Sequence, residues 1–214
     1  MFKDSDRNFM EEKMKILVDS IESELNKPYF ANFKDIAVCA VSSYIFEIRT
    51  HGRNAKTHIR EKFSQITNGM CEEDRVYQTL DALRHSFCCY AGGGLYQLYT
   101  LQENEEWHPK IKLTEILEPN AIALLPQNLI LYRGCCISEF ETQNFGQAWS
   151  TSRQIAEMFA YSHYQNQEWF NKEKRVVLTA NYSKDHVLFA NQAVECEVVV
   201  DVDKLQNVQA IPNS

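Results

Sequence analysis

The period of the hydrophobic pattern changes once along this chain, and that change limits the folds open to it. Up to about residue 110 apolar residues recur at helical intervals. From residue 128 onward they fall in short β-rich runs separated by turns. The first half reads as four helices. Residues 9–26 carry Phe9, Met10, Met14, Ile16, Leu17, Ile21 and Leu25, and Asn26-Lys27-Pro28 ends the segment. Residues 33–49 are apolar on most of their circumference, which predicts a buried helix, with a strand as the alternative. Residues 54–66 form a basic helix. Residues 72–90 form an amphipathic one, capped by Asp74 and striped by Val76, Leu80, Leu83 and Phe87. Gly92-Gly93-Gly94 breaks the pattern. No Lys-Ser or Lys-Thr follows it, so a turn or a tight helix contact is expected rather than a phosphate loop. Residues 102–110 are a polar connector, and 112–118 a short helix closed by Pro119.

The second half reads as strands at 128–133, 146–151, 175–181, 186–190, 194–201 and 205–211. One inserted helix, 153–165, is capped by Ser152. Strands and helices do not alternate, so a doubly wound parallel sheet is not expected. The expected class is α+β: a helical lobe, 1–110, followed by a mainly antiparallel β core, 111–214, the two forming one compact unit.

Composition narrows function by exclusion. The chain has 214 residues, 22 basic and 29 acidic, for a formal charge of -7. A uniformly basic nucleic-acid binder is therefore not expected, although a local patch is. Residues 49–62 hold Arg49, Arg53, Lys56, Arg60 and Lys62 against one acid, a patch for RNA, DNA or an acidic partner, or simply a solvated helix face. No apolar run is long enough to span a bilayer, and the polar N-terminus lacks a signal-peptide core. That fits a cytoplasmic protein, or one delivered into another cell without a signal. The seven cysteines show no Cys-x-x-Cys spacing and read as reduced, mostly buried thiols. The six histidines, His51, His58, His85, His108, His163 and His186, show no ligand spacing, and no metal is expected.

Three short motifs in the β half carry chemistry. Leu131-Tyr132-Arg133-Gly134 puts an arginine at a strand end, where its fork suits phosphate oxygens. Trp149-Ser150-Thr151-Ser152 puts hydroxyls on a strand that leads into a helix. Glu195-Cys196-Glu197 opens an apolar strand. Alternation there would aim both carboxylates to one side and Cys196 into the core. Two carboxylates beside one cleft can divide labour, one stabilising a cation and the other accepting a proton. Singly, the three motifs read as an ion pair, a helix cap and a solvated face. Their order, spacing and strand contexts give them weight together.

That combination resembles the ADP-ribosyltransferase superfamily, in its R-S-E clade of cholera-toxin-like and arginine-directed enzymes. The resemblance covers about residues 127–211, and the run Arg153 to Ala160 looks like the helix that follows the serines in bacterial and phage members. It implies a split β-sandwich core with an N-terminal helical lobe packed on it. It also implies cleavage of the nicotinamide–ribose bond of NAD, used as co-substrate, and transfer of a single ADP-ribose unit. By that resemblance Glu197 is the catalytic glutamate, Ser150 holds it, and Arg133 binds the NAD phosphates. Gly134 gives the nicotinamide amide close access to the main chain. Thr151 and Ser152 line the NAD cleft or support its strand. Phe189 contacts acceptor or nicotinamide, or belongs to the core. Glu195 is the base toward an acceptor arginine, and residues 189–194 form the acceptor loop. Other outcomes on the same scaffold are ADP-ribosylation of RNA or DNA by a toxin or phage effector, NAD hydrolysis alone, and a non-catalytic binding protein. A toxin of this kind implies an antitoxin or inhibitor protein as partner.

Overall fold

The computed structural model describes residues 1–102, 107–167, 169–193 and 195–211. The expected connector 102–110 therefore falls partly outside the described residues. The chain divides into two compact units, Met1–Lys112 and Leu113–Ser214.

The first unit is helical. Helix α1 (Asp4–Asn8) runs on into a wider π-turn over Phe9–Lys13. It is followed by α2 (Val18–Leu25), α3 (Lys34–His51), α4 (Ala55–Ile66) and α5 (Arg75–Thr100). The helix expected over 9–26 is broken at 14–17. Lys15 takes a left-handed φ of 56°. Leu17 N–H donates to the Lys110 carbonyl and Lys112 N–H donates to that of Lys15, so a short β-bridge between Ile16 and Ile111 replaces the helical bonds. The stripes interlock as their spacing predicts. Ala37, Ala40, Val41, Tyr44 and Ile45 of α3 and Ile59 and Phe63 of α4 share a core with Val76, Leu80, Leu83 and Phe87 of α5. Asp74 caps α5, accepting from Val76 N–H at 2.7 Å. Gly93 and Gly94 kink α5, and Gly94 at φ 66° needs the freedom of glycine.

Among its described residues the second unit is one antiparallel sheet with two α-helices. Its elements are β1 (Asn128–Cys136), α6 (Ile137–Thr142), β2 (Ala148–Ser150), α7 (Arg153–Tyr161), β3 (Arg175–Ser183), β4 (Val187–Asn191), β5 (Glu197–Val200) and β6 (Gln206–Ile211). The strand order is β4-β5-β2-β1-β3-β6. β1 and β3 pair along their whole length, from Asn128↔Ser183 to Cys136↔Arg175, whereas β1 and β2 meet at the pair Tyr132↔Ser150. The sheet is thus narrowly joined at its middle. One face carries Leu129, Leu131, Trp149, Leu178, Val198 and Val200 in the main core. On the other face Ala156 and Ala160 of α7 pack with Val177. Arg175 ties down the end of that helix, donating to the Phe159 and Ala160 carbonyls.

The helix expected over 112–118 does not form. Its main chain bonds elsewhere: Leu113 exchanges bonds with the Gln147 side chain, and Leu117 and Ala121 N–H donate to Leu188 and Ala190 of β4. Docking along a strand edge satisfies these groups without a helix.

Candidate functional site

The three motifs come together at the join between β1, β2 and β5. Ser150 is directly opposite Tyr132 on one side and Glu197 on the other. Continuing the register gives a row across the sheet: Asn191, Glu197, Ser150, Tyr132, Thr179 and Gln209. Cross-strand partners share a face, so these polar side chains stand side by side on the face that carries α7. Within the row Ser150 is buried, Glu197 half-buried and Asn191 exposed.

Ser150 acts on the glutamates through the main chain. Its hydroxyl donates to the Glu195 carbonyl at 2.8 Å and accepts from Ser152 N–H at 3.0 Å. Thr151 N–H donates to the Cys196 carbonyl at 3.0 Å. Gln192 completes the latch: its amide oxygen accepts from the Thr151 hydroxyl at 3.1 Å, and its amide nitrogen donates to the Glu197 carbonyl at 3.1 Å. The serine motif and the glutamate motif are therefore clamped together at several main-chain points. Sequence reading missed Gln192, whose only signal is its place inside the expected acceptor loop. Val194 of that loop lies outside the described residues.

The clamp holds an unusual backbone. Cys196 has φ 49°, a left-handed conformation that non-glycine residues seldom adopt. The expected strand over 194–201 accordingly starts only at Glu197. Alternation does not extend back to Glu195, so the argument that both carboxylates share a side fails. So does the placement of Cys196 in the core: it is half-buried. The two glutamates occupy different settings, Glu195 exposed and Glu197 half-buried.

Arg133 differs most from expectation. Alternation along β1 puts it with Leu131 and Cys135, on the face opposite Tyr132. Its guanidinium grips the Glu139 carboxylate of α6 through two bonds, of 2.9 and 3.0 Å, and donates to the Ala148 carbonyl at 2.6 Å. Gly146 makes the room: a Cβ there would lie 2.3 Å from Nη2 of Arg133. Arg133 thus braces α6 against β2, on either side of the narrow join. Replacing Arg133 by lysine, or Glu139 by glutamine, removes the same two-pronged contact. Each change is expected to lower stability, with the double variant costing little more than either alone in a thermal-melting cycle.

The remaining candidates have structural duties. A Cβ on Gly134 would sit 2.1 Å from the Ala156 carbonyl oxygen and 2.5 Å from Ala160 N, so helix packing requires glycine there whatever a ligand requires. Ser152 caps α7, accepting from Ile155 N–H at 3.4 Å. Phe189 is 1% exposed opposite Val199, so it stands in the core. Next to the arginine, burial pushes the Cys135 thiol up to about 12, which disfavours the thiolate. All seven cysteines are free, but only Cys88, Cys89 and Cys135 are buried.

The basic residues of the first unit are unequal. Arg53, Arg60 and Lys62 are exposed, and Lys56 is half-buried. Arg49 is turned onto the Ser5 carbonyl and the Phe9 ring. The histidines show no ligand spacing in sequence, yet the rings of His51 and His58 stack with centroids 4.3 Å apart. Among the described residues no helix is long and apolar enough to cross a membrane.

No family model matches the chain, and no curated protein or solved structure matches it at a significant level.

Proposed function

We propose that this protein is a mono-ADP-ribosyltransferase, which splits the nicotinamide–ribose bond of NAD and passes ADP-ribose to a macromolecular acceptor, protein arginine first. The observation that carries the reading is the register pair Ser150–Glu197, clamped through Ser150 and Thr151 to the main chain of Glu195 and Cys196. A half-buried carboxylate at the narrow join of a sheet is well placed to face a developing cation.

When NAD binds there, the bond from ribose C1′ to the nicotinamide nitrogen breaks, and both electrons leave with nicotinamide. The ribose is left as an oxocarbenium cation. Glu197 stabilises that charge. A unit pair about 4 Å apart at an effective dielectric of about 20 is worth about 4 kcal/mol, roughly a thousandfold in rate. Glu195, exposed at the rim, takes a proton from the acceptor guanidinium, whose freed nitrogen then bonds to C1′.

The residues fit NAD in part. Glu197 suits the ribose. Arg133 suits the pyrophosphate poorly, because Glu139 offsets its charge and three of its five N–H donors are engaged. Its guanidinium also stands on the face opposite Glu197, so its role here is to position β1 and β2, and phosphate contacts fall to main-chain donors. Free cysteines suit a reducing cytoplasm as the place of action.

The division of labour between the carboxylates is testable with NAD labelled in its adenylate half. Glu195→Gln should lower label transfer to a cell lysate by about a hundredfold while sparing most NAD hydrolysis. Equal loss of both activities would refute the assignment of Glu195 to the acceptor. Label removed by protease marks a protein acceptor, and label removed by nuclease marks RNA or DNA.

A further inference from the structure

Three side chains that the proposed reaction does not use converge at the turn between α3 and α4. Glu47 and His51 are four residues apart on α3 and so share a helix face. The turn Gly52–Asn54 then brings His58, in the first turns of α4, against His51. The two imidazoles stack with centroids 4.3 Å apart and planes 22° apart. His51 Nε2 is 3.4 Å from Glu47 Oε2. One donor atom from each of the three residues lies within 4.8 Å of the other two.

We propose that Glu47, His51 and His58 form a binding site for a divalent transition metal of the zinc class. Glu47 is only 7% exposed, and a buried carboxylate is stable only when paired with a cation or otherwise satisfied. Two imidazole nitrogens and one carboxylate oxygen suit zinc, cobalt or nickel, whereas magnesium and calcium prefer oxygen alone. Bonds of about 2.0–2.1 Å would bring tetrahedral donors to about 3.4 Å from one another. His51 is exposed and His58 half-buried, so modest side-chain rotation closes the difference. Glu61 Oε2 lies 4.0 Å from His58 Nδ1, too far for a hydrogen bond as it stands, and a closer approach would let it accept that N–H and leave Nε2 for the metal. The exposed face leaves the fourth position to water.

Two neighbouring cations are engaged elsewhere, and a third, Arg53, is exposed in the turn itself. Arg49 is directed to the Ser5 carbonyl and the Phe9 ring, and the end of the Lys56 side chain lies beside Gly92. Exposed charges are screened by salt, whereas direct ligation is not. A metal here would clip the end of α3 to the start of α4.

The test is a titration of the chelator-treated full-length chain with cobalt(II), followed by its visible d–d absorption. One equivalent should bind, and zinc should displace it. His51→Ala and His58→Ala, both at accessible positions, should each weaken binding by at least about a hundredfold and abolish the rise in melting temperature that zinc gives. Three results would overturn the proposal: no spectrum at one equivalent, undiminished binding in His51→Ala, or a strong thiolate-to-cobalt band showing that Cys39 or Cys71 holds the ion instead.

Discussion

Replacing Glu197 by glutamine is expected to cut nicotinamide release from NAD by about a thousandfold and to abolish detectable transfer with it. The substitution keeps the size of the side chain and removes only its charge. Glu197 is half-buried at the start of β5, and its main chain is held by Gln192 and by the pairing with Ser150. The melting temperature should therefore stay within a few degrees of the parent. Initial rates and thermal melts on the same preparation separate the two quantities. A glutamine variant that retains a tenth of the activity would mean that Glu197 does not face the ribose cation.

The largest effect on stability is expected from Gly134→Ala. The added methyl would meet main-chain atoms of α7, which cannot turn aside as a side chain can. Either α7 lifts from β1, opening the Ala156–Ala160–Val177 contact, or the strand bends. Overpacking of this severity costs about 3 kcal/mol or more, a drop of roughly 6–12 °C in melting temperature for a chain of this size. Gly146→Ala is the control. Its methyl would meet the flexible end of Arg133 instead, so the guanidinium can shift and the loss should be smaller. Similar losses in the two variants would show that the contact with the α7 main chain is not what selects glycine at 134.

Much of the architecture was legible because both periodicities are strong. The stripe Val76, Leu80, Leu83 and Phe87 is buried as its spacing implies, and Asp74 caps it. Six β-rich runs became six strands. What escaped were places where a long-range partner overrides local preference. Residues 14–17 and 112–118 have helical composition, yet Leu17 N–H donates to Lys110, Lys112 N–H to Lys15, Leu113 N–H to the Gln147 side chain and Leu117 N–H to Leu188 of β4. Within the site, the order of Arg133, Ser150 and Glu197 was readable and their register was not. Glu139 carries no motif. It matters because α6 folds back beside β1 and presents a carboxylate to Arg133. The left-handed turn at Cys196 defeats an alternation rule that holds from Glu197 onward. Glu47 and His51 have visible helical spacing, but only the turn at Gly52 brings His58 to them.

The central claim is that the Ser150–Glu197 pair faces the scissile bond of NAD. Its most direct test is nicotinamide release from NAD labelled in the nicotinamide ring, with purified protein and a cell lysate as the source of acceptor. The account predicts release that scales with protein and disappears in Glu197→Gln. Release no higher than in the protein-free control, with lysate present and the parent chain folded, would contradict it.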